Sequence, residues 1–242
     1  MSKVEVLGIN FDNYSLEQFK NKLISRIDSR LSTFIVTANP EIVMLAQKDK
    51  RFLKIINSKA DIVTADGIGI VLAGKMQKTP INERVTGYDL FVWLLHVANL
   101  RKLKVYLIGA KPEVIQAVKN KIDSEYSNIE LVGYEDGYFT DDLDKVANRI
   151  AAKKPDMVFA AIGFPRQEQL LSILRKNNLP AIMMGVGGSF DVFSGKTKRA
   201  PLIFQKAHLE WFYRLLKEPT RFKRMLVLPQ FVLEVRRNKK QK

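Results

Sequence analysis

The feature that most constrains the fold is a regular alternation of short apolar segments and helix-start signals in the second half of the chain. The apolar segments occupy residues 105–108, 129–132, 157–162 and 181–184, with a Pro or Asp ahead of each intervening helix. Such short runs are typical of parallel strands buried on both faces, and repeated strand–helix units need right-handed crossovers. The sequence therefore predicts an α/β fold, a doubly wound, Rossmann-like and mostly parallel sheet with helices on both faces.

The first half of the chain continues the pattern. Strands are predicted at residues 4–11 and 33–37, and Ser15 begins a capping box ahead of an amphipathic helix. Asn39 precedes Pro and Glu, which is a favourable order for starting a helix. Thr86 is predicted to start another. Each predicted strand is thus followed by a helix that leaves from its carboxyl end.

Charge divides the chain into two parts. The 242 residues carry a net charge of +15, of which residues 195–242 contribute +11, with fourteen Lys or Arg and three Glu. We therefore predict a core at 1–194 and a helical, basic C-terminal appendage at 195–242, which should seek an anionic partner. The absence of cysteine and the presence of only two histidines argue against disulfides and against thiolate- or histidine-rich metal sites.

The appendage carries apolar residues as well as charge. We predict an aromatic, basic helix at 202–217 and an apolar segment at 225–235 that Pro229 interrupts. The segment is shorter than the roughly 20 residues that span a bilayer. It could lie in a membrane interface, or it could pack on the core; the sequence leaves both open. Because the chain begins without a signal-peptide pattern, a cytosolic or peripheral protein is expected.

An acid stands where a predicted strand ends. Residues 60–69 form a short apolar strand followed by Asp66 and two glycines. Ligands of open α/β sheets bind at this carboxyl edge, so Asp66 is a candidate catalytic base, although on this corner alone a structural helix cap is the commoner role for Asp. Thr37 and Asn39 occupy a second corner of the same kind, and Arg84 follows nearby in the chain.

Glycines mark three further corners of the same edge. They are candidate ligand-binding positions because a glycine lets backbone N–H groups approach an anion, while ordinary tight turns are the alternative. The first corner holds a lone glycine, the second has Gln167 at its mouth, and the third has three glycines after a strand. The substrate-binding candidates are Gly109, Ala110, Gly163, Gly185, Gly187, Gly188 and Asp191.

Two familiar nucleotide signatures are missing. No Gly-x-Gly-x-x-Gly follows the first strand, and there is no P-loop lysine pattern. This argues against a nicotinamide-dependent oxidoreductase and favours a nucleotide of another kind. A nucleic-acid-binding protein is the rival from a different class, because the basic segment also carries aromatic residues. It leaves the acid and the three glycine corners unexplained, so no nucleic-acid partner is expected.

Seven motifs in register resemble one family over nearly the whole chain, the WecG/TagA/CpsF glycosyltransferases. They are TANPE at 37–41, ADGxG at 65–69, RVTG at 84–87, GxPxQE at 163–168, GVGGxFD at 185–191, RAP at 199–201, and EWxxR continuing to EPxR at 210–221. The resemblance implies an inverting, metal-independent transferase without cofactor, acting as a peripheral protein on the cytoplasmic face of the cell membrane.

The resemblance also implies substrates. The similar branch of the family moves N-acetylmannosamine from a UDP donor to the C4 hydroxyl of N-acetylglucosamine on undecaprenyl diphosphate, with a β-1,4 linkage, in wall teichoic acid synthesis. The expected partners are a UDP-sugar, a polyprenyl-diphosphate-linked N-acetylglucosamine and an anionic membrane surface. A uronic acid or glucosyl donor stays open as an alternative, and so does a homo-oligomer.

The roles of individual residues follow from the same resemblance. Asp66 matches the general base of the family, while Thr37, Asn39, Arg84 and Gln167 match other pocket positions. The leaving UDP needs positive charge, and electrostatic stabilisation of this kind can come from side chains. The family's basic C-terminal arginines are matched by Arg214, Arg221 and Arg224.

Overall fold

The fold is built around one mostly buried sheet. A computed structural model describes residues 3–207, 209–217 and 225–241. Six parallel strands pair in the order β4-β3-β8-β7-β5-β6, and two short strands form a separate antiparallel pair, β1-β2. The strands are β1 (Lys3–Val6), β2 (Ile9–Asp12), β3 (Thr33–Ala38), β4 (Ile62–Ala65), β5 (Lys104–Gly109), β6 (Glu130–Glu135), β7 (Met157–Ala161) and β8 (Ile182–Gly185).

Helices cover both faces of the sheet. They are α1 (Leu16–Asp28), α2 (Pro40–Lys48), α3 (Lys50–Lys59), α4 (Ile68–Met76), α5 (Gly87–Arg101), α6 (Pro112–Glu125), α7 (Leu143–Ala152), α8 (Arg166–Lys176), α9 (Ser189–Phe193), α10 (Leu202–Lys206), α11 (Glu210–Lys217) and α12 (Val227–Gln241). The apolar residues of α2, α3, α4, α7 and α8 join one core cluster, and those of α1, α5, α6 and α9 join a second on the opposite face. The predicted doubly wound α/β fold is confirmed.

The exit directions of the helices explain where a ligand can bind. Along the central strands β3, β8, β7 and β5, the following helices α2, α9, α8 and α6 pack alternately on the first and the second face. Neighbouring strands whose helices diverge leave a crevice beyond their carboxyl ends. The carboxyl edge of this sheet therefore has several such openings side by side.

The starts of three helices agree with the sequence analysis. Ser15 and Gln18 form a complete capping box on α1, the Asn39 side chain accepts a hydrogen bond from Ile42 N, and the Thr86 side chain accepts one from Asp89 N. Short polar side chains satisfy N–H groups that have no partner inside the helix. These corners are therefore fixed locally, by the residues that the sequence places there.

Two predicted elements differ in the structure. The single strand predicted at 4–11 is a hairpin, because Leu7 and Gly8 both adopt positive φ angles, 45° and 76°, and turn the chain back on itself. The single helix predicted at 202–217 is two helices, since Leu209 N donates a hydrogen bond to Phe204 O after α10 has ended. Helix α11 then begins at Glu210.

The last helix packs on the core. Phe231 and Val235 of α12 are 1% and 0% exposed and belong to the first core cluster, where α12 packs against α2 and α4. Pro229 falls in the first turn, where its missing N–H has no helical partner to lose. The sequence left open whether this apolar segment lies in a membrane interface or packs on the core. The face with Phe231 and Val235 packs on the core.

Candidate functional site

The register of the sheet brings two sequence-distant corners together. β3 and β4 pair with Thr37 opposite Thr64 and Ala38 opposite Ala65, so both strands end at the same level. Asp66 N continues the ladder by donating to Ala38 O at 2.9 Å. The acid that follows β4 therefore stands beside the residues that end β3.

Asp66 does not cap the helix that follows it. The residue at the start of α4 is Gly67, with φ 114°, and no side chain caps that helix. The Asp66 carboxylate instead accepts a hydrogen bond at 3.1 Å from Gly87 N, the first residue of α5. A carboxylate at a helix N-terminus meets N–H groups and the positive end of the helix dipole. Asp66 is thus held in place by a helix that lies 21 residues further along the chain.

A glycine at position 87 gives this contact its room. A Cβ atom there would lie 3.0 Å from Thr37 Oγ1 and 3.3 Å from Asp66 Oδ2. Thr37 Oγ1 in turn donates to Gly185 O at 3.3 Å, at the end of β8. Thr37, Asp66, Gly87 and Gly185 therefore form one compact group at the carboxyl edge, which we call the Asp66 corner. Asn39 stands next to it, with its side-chain oxygen accepting from Ile42 N at 3.0 Å.

An ion-pair network joins this corner to the C-terminal part of the chain. Arg84 Nη2 donates to Glu210 Oε2, at the start of α11, and the other oxygen of Glu210 is 3.8 Å from Arg199 Nε. Arg199 also pairs with Asp89 Oδ1 at 2.8 Å and stacks on the Tyr88 ring at 4.6 Å. Charge-assisted contacts of this kind hold α11 against the start of α5.

The other cationic candidates lie further along the same region. Arg214 is in α11, whereas Arg221 and Arg224 lie outside the described residues. Arg84 is the predicted cation whose surroundings the structure describes, and its side chain is 14% exposed. The sequence analysis did not identify its partner Glu210, nor Arg199, as part of the site. Arg199 lies in the motif at 199–201 and Glu210 in the motif at 210–221. Their opposite charges were the sequence signal that could have predicted the pairing.

The glycine corners divide into two kinds. At Gly109 a Cβ would lie 2.3 Å from the backbone carbon of Ala161, and at Gly185 one would lie 2.6 Å from Gln167 Nε2, so close packing requires both glycines. Gly163 and Gly187 have φ angles of 79° and 48°, and apart from their chain neighbours no atom of the described residues lies within 4 Å of a Cβ position. Open space beside a backbone with positive φ is what a ligand-binding turn needs.

The remaining candidates lie along the same edge. Ala110 has φ 61°, and its carbonyl accepts a hydrogen bond from Gly137 N at 2.8 Å. Gly188 precedes α9, and the nearest atom to a Cβ there is Asp191 Oδ2 at 3.8 Å. Asp191 O accepts from Thr197 N at 2.9 Å. These turns follow β5 and β8 on one edge, and the second of them begins directly after Gly185 of the Asp66 corner.

Gln167 lies beneath the edge. Its side chain and that of Glu168 are 3% and 1% exposed, and Gln167 Nε2 donates to Glu168 Oε1 at 2.8 Å. Burial raises the pKa of Glu168 to about 7, against a smaller opposing effect of the bond from Gln167. The sequence analysis did not assign a role to Glu168, because an acid in the first turn of a helix is ordinarily a solvated, dipole-compensating residue.

A cavity of about 400 Å³ opens at the far end of the edge. It is lined by the last two residues of β6, Tyr134 and Glu135, and by Asp136, Tyr138 and Phe139 of the segment that follows. Strands lie about 4.8 Å apart, so the five spacings from β4 to β6 put it roughly 24 Å from the Asp66 corner. This cavity and the candidate base are therefore at opposite ends of the same edge.

Hydrogen bonds and ion pairs hold one wall of this cavity in place. Glu135 accepts two hydrogen bonds from Arg149, at 3.0 and 2.6 Å, and one from Tyr106 Oη. The bonds from Arg149 hold the pKa of Glu135 below its usual range, while burial raises the pKa of Tyr106. Arg166 supports the other side by donating to the Phe139 carbonyl at 3.2 Å. The sequence signal for this wall is Glu135, an acid at the carboxyl end of β6, which is the next strand after the Gly109 turn.

The described ranges offer neither a cluster of metal ligands nor a membrane-spanning helix. Among residues 3–207, 209–217 and 225–241, no group of three His, Asp or Glu could hold a metal ion. The chain has an Asp-x-Asp spacing at Asp142 and Asp144, but Asp142 Oδ1 caps α7 by accepting from Lys145 N at 2.8 Å. In the same ranges no helix combines the length and apolar character needed to cross a bilayer.

Comparison with known proteins gives one consistent match. Residues 4–242 match the model of the glycosyl transferase WecG/TagA/CpsF family. The N-acetylglucosaminyldiphosphoundecaprenol N-acetyl-beta-D-mannosaminyltransferase of Bacillus subtilis is 42% identical over 243 residues, covering 100% of this chain and 94% of the relative. The enzymes of the same name from Bacillus spizizenii and Staphylococcus aureus are 42% and 37% identical, over 94% and 99% of this chain and 88% and 94% of their own lengths.

Proposed function

The chain belongs to the WecG/TagA/CpsF family of glycosyltransferases, and we propose that it transfers N-acetylmannosamine from a UDP donor to N-acetylglucosamine on undecaprenyl diphosphate. The relatives carry this acceptor and this sugar in their names. The acceptor position is the C4 hydroxyl, the product linkage is β-1,4, and the step is an early one in wall teichoic acid synthesis. The observation that supports the proposal most strongly is the Asp66 corner, which presents an oriented carboxylate at the edge where α/β folds bind ligands.

Asp66 is the base in the proposed mechanism. Its carboxylate accepts a proton from the acceptor hydroxyl as the hydroxyl oxygen attacks the anomeric carbon, and the bond from that carbon to the UDP oxygen breaks. A single displacement inverts the anomeric centre and needs one base. The hydrogen bond from Gly87 N fixes one carboxylate oxygen at 3.1 Å. Thr37 and Asn39, which flank Asp66, contact the sugars in this proposal.

Positive charge is required on the opposite side of the reacting carbon. UDP leaves with growing negative charge, and preorganised cations stabilise it most effectively where water is excluded. Arg84, Arg214, Arg221 and Arg224 supply this charge in the proposal, which needs no resident metal ion. The contact between Arg84 and Glu210 supports it, because it joins the start of α11 to a residue three positions before Gly87 of the Asp66 corner. The appendage at 195–242 thus completes the site of the core at 1–194.

The donor lies along the edge in this proposal. The open turns at Gly163 and Gly187, with Gly188 and Asp191, contact its diphosphate, and the turn at Gly109 and Ala110 contacts the nucleoside part. From β4 to β5 there are four strand spacings, roughly 19 Å, which suits an extended nucleotide-sugar with its sugar end at Asp66. Gln167 acts from beneath, through Gly185.

The acceptor is a lipid, so the protein has to meet a membrane. We propose peripheral attachment at the cytoplasmic face through α10 and α11. Exposed apolar side chains on and between these two helices support it: Leu202, Ile203, Leu209, Trp211, Phe212 and Leu216, at 38% to 79% exposure. Such a face beside basic residues favours an anionic interface. The same face could join two copies, and a monomeric sedimentation profile of the full chain would exclude that.

One assay separates the main proposal from its rivals. UDP release is measured with UDP-N-acetylmannosamine, with its uronic acid counterpart and with UDP-glucose, each with and without a lipid-diphosphate N-acetylglucosamine acceptor and a chelator. We expect release with the first donor only, dependent on acceptor and unaffected by chelator. Loss of release with chelator contradicts metal independence. Tight oligonucleotide binding without UDP binding would support the nucleic-acid-binding alternative instead.

A further inference from the structure

The first turn of α8 contains a buried polar pair with one hydrogen bond too few. Gln167 Nε2 donates to Glu168 Oε1 at 2.8 Å, and both side chains are at least 97% buried. Among the residues that the structure describes, Gln167 Oε1 and Glu168 Oε2 have no hydrogen-bond partner. A buried acceptor without a donor costs roughly 1–3 kcal/mol, and a charged one costs more. Two such oxygens in adjacent residues call for a common explanation.

One proton satisfies both oxygens. An ionised carboxylate only accepts hydrogen bonds, whereas a protonated one gains an O–H donor. We propose that Glu168 is protonated in the folded protein near neutral pH and that its Oε2–H donates to Gln167 Oε1, closing a two-bond acid–amide pair. The bond already present, from Gln167 Nε2 to Glu168 Oε1, is the other half of that pair.

The surroundings of Glu168 favour the neutral form. Burial raises its pKa from 4.5 to about 7, and the opposing contributions come from Gln167 and the backbone. The strands packed against α8, which are β3, β7 and β8, contain no charged residue. A carboxylate in such a place lacks the cation that would make its charge tolerable.

The charged side chains of the neighbouring helices are engaged or exposed. On α8 itself Arg166 donates to the carbonyls of Gly137 and Phe139, and Arg175 pairs with Asp61. On α7, Arg149 pairs with Glu135 and Asp141. The remaining charged residues of α3, α7 and α8 lie at exposed positions: Lys50, Arg51, Lys54, Lys59, Asp144, Lys145 and Lys176.

The Gln167–Glu168 pair contacts the Asp66 corner through Gly185. A Cβ on Gly185 would lie 2.6 Å from Gln167 Nε2 and 3.2 Å from Glu168 Oε1, so the pair packs directly against this turn. Gly185 O accepts the hydrogen bond of Thr37 Oγ1, and Thr37 borders Gly87 and Asp66. Glu168 is therefore a positioning residue: it acts on the Asp66 corner through Gln167, Gly185 and Thr37. Its effect on turnover rests on the proposed transferase function, while its protonation does not.

The proton is tested on the free protein, without substrate. Infrared difference spectra of the wild type and Glu168→Gln, taken from about pH 5 to about pH 9, should show a protonated carboxyl band that is absent from the variant and titrates near pH 7. If that band is missing, or titrates near the ordinary glutamate value of 4.5, the proposal is overturned. Asp61→Asn is the control. It removes the Asp61 carboxylate that pairs with Arg175, and it should leave the band unchanged.

The positioning role is tested by kinetics. In Glu168→Gln the new amide can donate to Gln167 Oε1 at every pH, so the pair stays closed. We expect the wild-type kcat to fall about tenfold between pH 7 and pH 9, with Glu168→Gln retaining its kcat and with an unchanged KM for the donor. Identical pH profiles for the two proteins contradict the role. If no donor is turned over, the infrared result still decides the protonation, so the two failures are distinguishable.

Discussion

The Asp66 corner and the C-terminal region from residue 195 onward are held in place by different kinds of contact. The corner is set by the main-chain pairing of the ends of β3 and β4, and by the bond that Gly87 N donates to the Asp66 carboxylate. Beyond main-chain bonds at its start, such as Thr197 N to Asp191 O, the described part of the C-terminal region is attached by side chains, through Arg84 with Glu210, Arg199 with Asp89, and the buried face of α12.

The difference separates two tasks. Main-chain ladders are shared among many residues, so single substitutions leave the position of the corner intact and change only its chemistry. A side-chain attachment depends on individual residues, so one substitution can change how the C-terminal region sits on the core. We therefore expect catalytic and attachment defects to be separable, and the predictions below test that separation from the largest effect to the smallest.

The largest effect is expected for Asp66→Asn. The amide oxygen can still accept from Gly87 N, but it cannot take a proton, so turnover should fall by about 10³-fold with the fold unchanged. UDP release and circular dichroism measure the two properties. Asp49→Asn is a matched control, because Asp49 accepts from Arg51 N and Phe52 N at the start of α3 and Asn caps equally well. A turnover within tenfold of the wild type would rule out Asp66 as the base.

The second prediction concerns α12, whose inner face is packed as tightly as the core. Phe231 is 1% exposed and lies 3.9 Å from the Cβ position of Gly69, three residues after Asp66. Phe231→Ala should lower the unfolding free energy by about 3–5 kcal/mol, measured by urea denaturation. Leu233→Ala, on the same helix and 53% exposed, should change it by less than about 0.5 kcal/mol. Equal effects would mean that α12 is not docked on the core.

The third prediction uses the raised pKa of Glu168. The unfolded chain releases this proton near 4.5 and the folded protein near 7, so between these values the folded state binds more protons. Stability is then fully present below pH 4.5 and is lost as the pH rises through 7, by roughly 3 kcal/mol. Urea denaturation as a function of pH should show this loss in the wild type and not in Glu168→Gln. Parallel pH curves contradict it.

The fourth prediction measures the attachment of α11. Arg84 and Glu210 are each 14% exposed, so a double-mutant cycle with Arg84→Gln and Glu210→Gln should give a coupling energy of about 1.5 kcal/mol. Arg101 and Asp28 form the control pair at the other end of α5, where the side chains are 35% and 57% exposed. Their coupling should be about 0.5 kcal/mol. Equal couplings would show that the Arg84 contact is an ordinary surface pair.

The sequence predicted the parts of the fold that local chemistry decides. Ser15, Asn39 and Thr86 begin helices as predicted because each caps its own helix three residues ahead. The hairpin at Leu7 and Gly8 was missed because leucine rarely adopts a positive φ angle. Apolar residues that continue on both sides of such a turn are indistinguishable from one strand.

The site was predictable to the level of its corners and no further. Asp66 at a strand end is visible in the sequence, but its partner Gly87 follows from how α5 packs, which is a tertiary property. The same holds for Glu168, whose burial decides its protonation, and for Glu210, whose partners Arg84 and Arg199 lie far away in the chain. The candidate residues could be predicted from residue type and position in the sequence. Their partners are set by tertiary packing and could not.

The smallest effect is expected at the surface that we propose to meet the membrane. Ile203 on α10 is 79% exposed, and inserting part of such a side chain into an interface is worth about 1 kcal/mol. Ile203→Ser should therefore weaken binding to anionic lipid vesicles by about fivefold. It should leave the unfolding free energy unchanged, since the side chain contributes little to the core.

Leu100→Ser is the matched control, because Leu100 is 81% exposed near the far end of α5, roughly 20 Å along the helix from the Asp66 corner. Equal losses for both variants would indicate non-specific adsorption, and a loss for Leu100→Ser alone would move the membrane-facing surface away from α10. A loss for Ile203→Ser alone, with wild-type turnover of a short-chain soluble acceptor, would establish that membrane attachment and the chemistry at Asp66 are separate properties of the two regions.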